Sequence, residues 1–125
     1  MIPPANRGIS IRQVQETVAR NFHVNAAELV SPCRQQRITC ARHVAMYLSR
    51  ELAEARITVR GAARRRPSFP RIGMAFARDH SSVIHACRMI ERRRLSDRGF
   101  ARLLERLASE VSRGAGAAGK TPEAA

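Results

Sequence analysis

Residues 68–91 read SFPRIGMAFARDHSSVIHACRMIE, and this stretch decides the fold. Ser68 is a helix-capping residue type, Pro70 is tolerated in a first helical turn, and Ile72 and Phe76 lie four apart on one helical face. Together they predict a short helix over 69–77. Arg78-Asp79 then forms a turn, and Asp79 caps a longer helix reaching Arg94, with Val83, Ala86, Cys87 and Ile90 on its inner face. A short helix, a tight turn and a longer helix with a polar start make a helix-turn-helix. In such motifs the first residues of the second helix meet base edges in the major groove. Here those residues are Asp79, His80, Ser81 and Ser82, all short and able to hydrogen bond.

Outward from that pair the pattern stays helical. Residues 1–8 hold two prolines and a glycine and read as a flexible leader. Ser10 with Gln13 is a capping box, followed by Ile11, Val14, Val18 and Phe22 at helical spacing. Asn25 with Glu28 repeats the capping pattern and opens a short helix that ends near Ser31-Pro32. Cys33 to Arg37 reads as a basic loop, and Thr39 as the cap of a long third helix fading after Arg56, with Ala41, Val44, Ala45, Leu48 and Leu52 inward. Gly61 and the run Arg64-Arg65-Arg66 mark a basic loop before Ser68. A sixth helix follows Asp97, with Phe100, Leu103, Leu104, Leu107 and Val111 on one side, and residues 113–125 read as a disordered Gly/Ala-rich tail. No strand alternation or internal repeat is visible. The expected fold is all-α: a compact bundle of about six helices over residues 9–112.

Charge narrows the function. Lys and Arg total 23 against 10 Asp and Glu, a net +13, and every basic residue except Lys120 is arginine. That field attracts polyanions, and the planar guanidinium fork suits phosphate and guanine recognition. Four Phe, one Tyr and no Trp leave little for base stacking, which disfavours a single-strand or RNA binder. Three irregularly spaced cysteines imply no disulfide framework, and no apolar run approaches a membrane span or a signal peptide, so a reduced cytoplasmic setting is expected.

The stretch 68–91 resembles the signature of the C-terminal DNA-binding domain of DnaA, the bacterial replication initiator. The family's Arg-Asp-His-Thr-Thr-Val run and its His-Ala-Cys-Arg step match Arg78 to Val83 and His85 to Arg88. ISIRQVQETVARNFHVNAAELVS is similar to the family's first two helices, ARHVAMYLSREL to its long third helix, and GFARLLERLAS to its closing helix. The resemblance implies double-stranded DNA as partner. Asp79 and His80, with Ser81 and Ser82 in place of the threonines, would read the major groove, and Arg78 would be a further DNA-binding residue. Arg34 would enter the adjacent minor groove, while Arg42, Arg50 and Pro70 would contact the backbone or flank the groove. An acceptor carboxylate suits cytosine's amino group, and an inserted arginine suits a narrow A/T-rich minor groove.

The chain departs from the family's pattern in four ways. No ATP-binding domain accompanies the match, so a stand-alone binder without cofactor or nucleotide is expected, regulating transcription or replication. Pro32, Cys33, Gln35 and Gln36 replace more basic loop residues, and the turn before Arg78 is one residue short, with only Ala77. An insertion over about 53–67 carries Arg64, Arg65 and Arg66, which could reach phosphates beyond the usual footprint. Two patterns are decoys. Residues 114–121 fit GxxxxGK[ST], but no strand delivers them. Cys33, Cys40 and His43, with His23 or His80, lack the tight pairs of structural zinc. No nucleophile with base and orienter is visible, so an enzyme is not expected. The alternative reading is a nonspecific architectural or nucleoid protein, which would lack sequence discrimination.

Overall fold

The structure, a computed structural model, describes residues 9–53 and 66–116. The leader 1–8, residues 54–65 of the insertion (Arg64 and Arg65 among them) and residues 117–125 lie outside the described residues. Six helices run in order: α1 Ile11–Asn21, α2 Ala26–Leu29, α3 Gln36–Leu52, α4 Phe69–Phe76, α5 His80–Ser96 and α6 Arg98–Gly116. No strand occurs among the described residues.

Most helix starts follow from their caps. The Ser10 hydroxyl accepts from the Gln13 amide at 3.1 Å, and the Gln13 side chain accepts from the Ser10 amide at 3.0 Å, which satisfies two orphan donors of α1. Ser68 accepts from the Arg71 amide at 3.2 Å, with Pro70 in the first turn where no amide is needed. Asp97 accepts from the Phe100 amide at 3.0 Å and opens α6.

Three boundaries correct the sequence reading. Helix α3 starts at Gln36, ahead of Thr39, so Gln36 and Arg37 are helical and the loop is shorter. Gln35 makes no side-chain cap; just ahead of it, the Cys33 carbonyl accepts at 3.0 Å from Arg42, six residues inside the helix. At its other end α3 stops at Leu52, before Arg56, because Ala53 turns extended (φ −71°, ψ 157°) and is itself buried. Helix α6 continues past Arg113 to Gly116: the buried Val111 fixes its last packed turn, and the backbone ladder carries on beyond it. The first letters of the phosphate-loop pattern, residues 114–116, are therefore helix.

The inward residues assemble one core. Val14 and Val18 of α1, Val44, Ala45 and Leu48 of α3, Ile72 and Phe76 of α4, Val83, Ala86 and Ile90 of α5, and Phe100, Leu104, Leu107 and Val111 of α6 are all buried together. Each large aliphatic or Phe side chain so buried contributes about 1.5–3 kcal/mol. Helix α3 lies centrally against α5, α4 packs on α5 and α3, and α1 joins α3 to α6. Leu52, Cys87 and Leu103, expected inside, are only partly buried at the core's margin. Burial pushes the Cys87 thiol up to about 11, so it behaves as a small apolar group.

The α4–α5 turn is the tightest point. Ala77 adopts the left-handed conformation (φ 56°, ψ 42°), which closes the turn in one residue and accounts for its shortness. The Arg78 amide donates to the Gly73 carbonyl at 2.8 Å. A Cβ on Gly73 would lie 2.5 Å from the Arg78 carbonyl oxygen, so only glycine permits this approach. Gly73→Ala is therefore expected to force the two helices apart and lower stability by about 1–3 kcal/mol. Ala77→Gly relieves a left-handed alanine and should raise stability by up to about 1 kcal/mol. Urea unfolding of both variants, with opposite signs of change, checks the turn geometry.

Candidate nucleic-acid interface

Asp79 caps α5 with one carboxylate oxygen, Oδ2, which accepts from the Ser81 amide at 3.0 Å and from the Ser81 hydroxyl. The other oxygen, Oδ1, lies 3.8 Å from His80 Nδ1. The Ser81 hydroxyl and amide, and then His80, hold this carboxyl below the usual carboxylate range, so it stays an ionised acceptor. Asp79, His80, Ser81 and Ser82 are all exposed. The capping role and an outward acceptor thus coexist, because each uses a different oxygen.

The α2–α3 loop is held by two arginines. Arg42, only 4% exposed, donates from Nε to the Leu29 carbonyl at 2.7 Å. From Nη2 it donates to the carbonyls of Ser31 at 2.9 Å, Cys33 at 3.0 Å and Glu28 at 3.3 Å. Arg78 reaches the same Ser31 carbonyl with its Nη2 at 2.8 Å, while its Nη1 donates to the carbonyls of Phe76 and Ala77. Burial, followed by the repulsion of Arg78, lowers the pKa of Arg42. The loop that carries the exposed Arg34 is thereby tied to the turn that carries Asp79.

These contacts give three of the arginines expected at DNA a partner within the chain. Arg42, expected on the DNA backbone, is turned inward and serves as a scaffold, because four buried-side carbonyls need its donors. Arg50 is likewise drawn into packing: its Nη1 donates to the Pro67 carbonyl at 2.8 Å and its guanidinium lies 4.2 Å over the Phe69 ring. That fastens the start of α4 to the end of α3 where the chain returns from the insertion. Arg66, expected on phosphate, sits 3.5 Å from Glu51 in an exposed ion pair; Arg64 and Arg65 lie outside the described residues. Pro70 is exposed on α4.

A feature that sequence reading did not assemble is an open cleft of about 290 Å³ between α3 and α5. Arg42, His43, Arg78, Ser81, Ser82 and His85 line it, and no carboxylate does. His85 follows Ser82 by one helical turn and His43 follows Arg42, spacings that could have flagged it. Burial first, then His85, Arg42 and Arg78, hold His43 below the usual histidine range, so it is neutral at pH 7. No group of three or more metal-ligating side chains gathers among the described residues, and all three cysteines are free. No described helix is long and apolar enough to cross a membrane.

Comparison with known proteins matches residues 11–90 to the family described as the bacterial dnaA protein helix-turn-helix. The chromosomal replication initiator protein DnaA of Lactobacillus johnsonii is 40% identical over 88 residues, 70% of this chain and 17% of that protein. Its counterpart from Azoarcus is 40% identical over 93 residues, 74% of this chain and 17% of its own length. The Symbiobacterium thermophilum protein is 31% identical over 113 residues, covering 89% of this chain and 22% of that protein. The chain thus spans about a fifth of the length of the curated relatives it matches.

Two outcomes are expected. Arg42→Met should cost roughly 3 kcal/mol in urea unfolding, because hydrogen bonds from a charged donor contribute about 1.5–3 kcal/mol and the freed carbonyls lose their partner. His43 has a folded pKa below its unfolded value, so the unfolded state binds more protons; its contribution is complete above about pH 6.5 and falls as pH drops below that. His43→Gln should flatten the loss of stability between about pH 7 and pH 5.5.

Proposed function

Because the chain belongs to the bacterial DnaA helix-turn-helix family, we propose that it reads specific duplex DNA sites through the N-terminus of α5. The observation that carries this reading is the linkage of three features around the α4–α5 turn. Four polar side chains, Asp79 to Ser82, are exposed at the start of α5. A carboxylate-free cationic cleft adjoins Ser81 and Ser82. Arg34 stands exposed on a loop tied to the same turn through Ser31.

Each part has a distinct task. The free oxygen of Asp79 accepts from a cytosine amino group, and His80 and Ser82 offer donors and acceptors to neighbouring bases. The cleft receives a backbone phosphate, where the half-buried Arg78 supplies charge. Arg34 enters the minor groove, with most effect where A/T-rich steps narrow it. Arg64 and Arg65, with Arg66 released from Glu51, add phosphate contacts. This is a binding module acting in the cytoplasm on the nucleoid, regulating transcription or replication by site occupancy; no catalytic step is assigned to it.

A second reading is a nonspecific architectural binder. It is favoured by the net +13, which far exceeds what the reading edge alone uses. Selection of bound duplexes from a random library separates the two. The specific reading expects a short enriched motif; an unenriched library would replace it with the architectural one. On the selected site, His80→Ala and Asp79→Asn, the latter keeping a capping residue, should each lose about 1–3 kcal/mol of discrimination while random-duplex affinity holds. Equal losses on selected and random duplexes would remove these residues from base reading.

A further inference from the structure

We propose that the outer face of α6 is a second surface for duplex DNA, so that one chain holds two DNA segments together; this rests on the duplex-binding reading above. Arg98, Arg102, Arg106 and Arg113 are all exposed. At about 3.6 residues per turn they form a row on the side of α6 opposite the buried row Phe100, Leu104, Leu107 and Val111. The buried row packs inward on α1 and α5, so the arginine row faces solvent along its length. Among the described residues none of the four is in an ion pair. Glu110 is turned aside to Arg20 and Asn21 of α1, which leaves Glu105 as the one carboxylate at the row's margin.

The chemistry of the row selects its partner. It extends about 22 Å at 1.5 Å per residue, a length over which duplex DNA presents about a dozen phosphates. Arg98, Arg102 and Arg106 one turn apart, with Arg113 two turns further on, match an extended polyanion. A helix lying on a membrane needs large apolar side chains beside its charges, and none of the exposed large hydrophobics lies on α6. A protein partner would call for exposed aromatic anchors, which α6 also lacks. Arg98 stands at the far end of α5 from Asp79, about 27 Å away along that helix, so the row begins well clear of the reading edge. The acidic residues facing the row do not neutralise it, and the charge has no structural task of the kind that Arg42, Arg50 and Arg78 perform.

The test is capture of a second duplex. A random-sequence duplex is fixed to beads and saturated with the full chain at a concentration where sedimentation shows a monomer. A labelled free duplex is then added. The parent should retain the label, and Arg98→Glu/Arg102→Glu/Arg106→Glu should lose at least tenfold of that capture while single-duplex affinity changes less than threefold. The glutamine counterpart, Arg98→Gln/Arg102→Gln/Arg106→Gln, repeats the comparison without new negative charge. The salt slope of the capture step should fall by up to about 2.7, since each phosphate contact adds about 0.9. A parent that saturates the first duplex but captures no second overturns the inference and leaves the proposed function standing. A parent that binds no duplex at all overturns both. Equal capture by parent and variants, capture seen only when the chain dimerises, or a large loss of single-duplex affinity in the variants each overturns it as well. Arginine-dependent binding to phosphatidylglycerol vesicles without second-duplex capture would assign the face to lipid instead.

Discussion

The carbonyl oxygen of Ser31 accepts from two guanidiniums, Arg42 at 2.9 Å and Arg78 at 2.8 Å, and the placement of the α2–α3 loop against the α4–α5 turn depends on this shared acceptor. The α2–α3 loop has few bonds of its own beyond the Ser31 hydroxyl, which donates to Glu28 and accepts from Cys33. Without the guanidiniums its carbonyls would be left to water, and the loop would have no fixed relation to α5. With them, a segment early in the chain is joined to the turn 47 residues later. Arginine suits this task because its planar fork satisfies several carbonyls at once and its charge persists even when burial and a like-charged neighbour oppose it. The repulsion between Arg42 and Arg78 is tolerated because carbonyl dipoles surround both.

The helix-turn-helix sets the other half of the geometry. Gly73 lets the α4 backbone touch the Arg78 carbonyl, and Ala77 completes the turn in the left-handed region that glycine usually occupies. The strain is held because Phe76 and Val83, on either side of the turn, are fully buried. Asp79 begins α5 from there with a cap that uses one carboxylate oxygen. The first turn of α5 thus emerges with a direction fixed by packing and an outward acceptor fixed by capping.

Much of this was legible in the sequence, for reasons that can be named. Ser10, Ser68, Asp79 and Asp97 announce their helices because capping is local chemistry between residues two or three apart. The core positions follow from helical spacing, since Val14, Val44, Phe76, Val83 and Leu107 sit where period alone puts them. The α3 start is not legible because Gln35 makes no side-chain cap and no local pattern marks Gln36. The family resemblance implies that Arg42 and Arg50 contact the backbone or flank the groove, and nothing local reveals that loop carbonyls and the Phe69 ring also hold them. The cleft between α3 and α5 draws on residues about forty apart, so spacing could mark its pieces but not their meeting. The structure adds which arginines are held within the chain and which, Arg34 among them, are exposed.

The grip on the α2–α3 loop is made wholly on main-chain oxygens. Arg42 and Arg78 hold Glu28, Leu29, Ser31 and Cys33 by their carbonyls, a group that every amino acid possesses, proline included. Of the loop's side chains, Ser31 adds hydrogen bonds to Glu28 and Cys33. The exposed Pro32, Arg34 and Gln35 make no side-chain hydrogen bond among the described residues, so they can be exchanged with little effect on where the loop sits, provided each new residue accepts the local backbone angles. Placement and side-chain identity are thus separable: a substitution at Arg34 or Gln35 changes the exposed chemistry of the segment while the clamp on its carbonyls keeps its position.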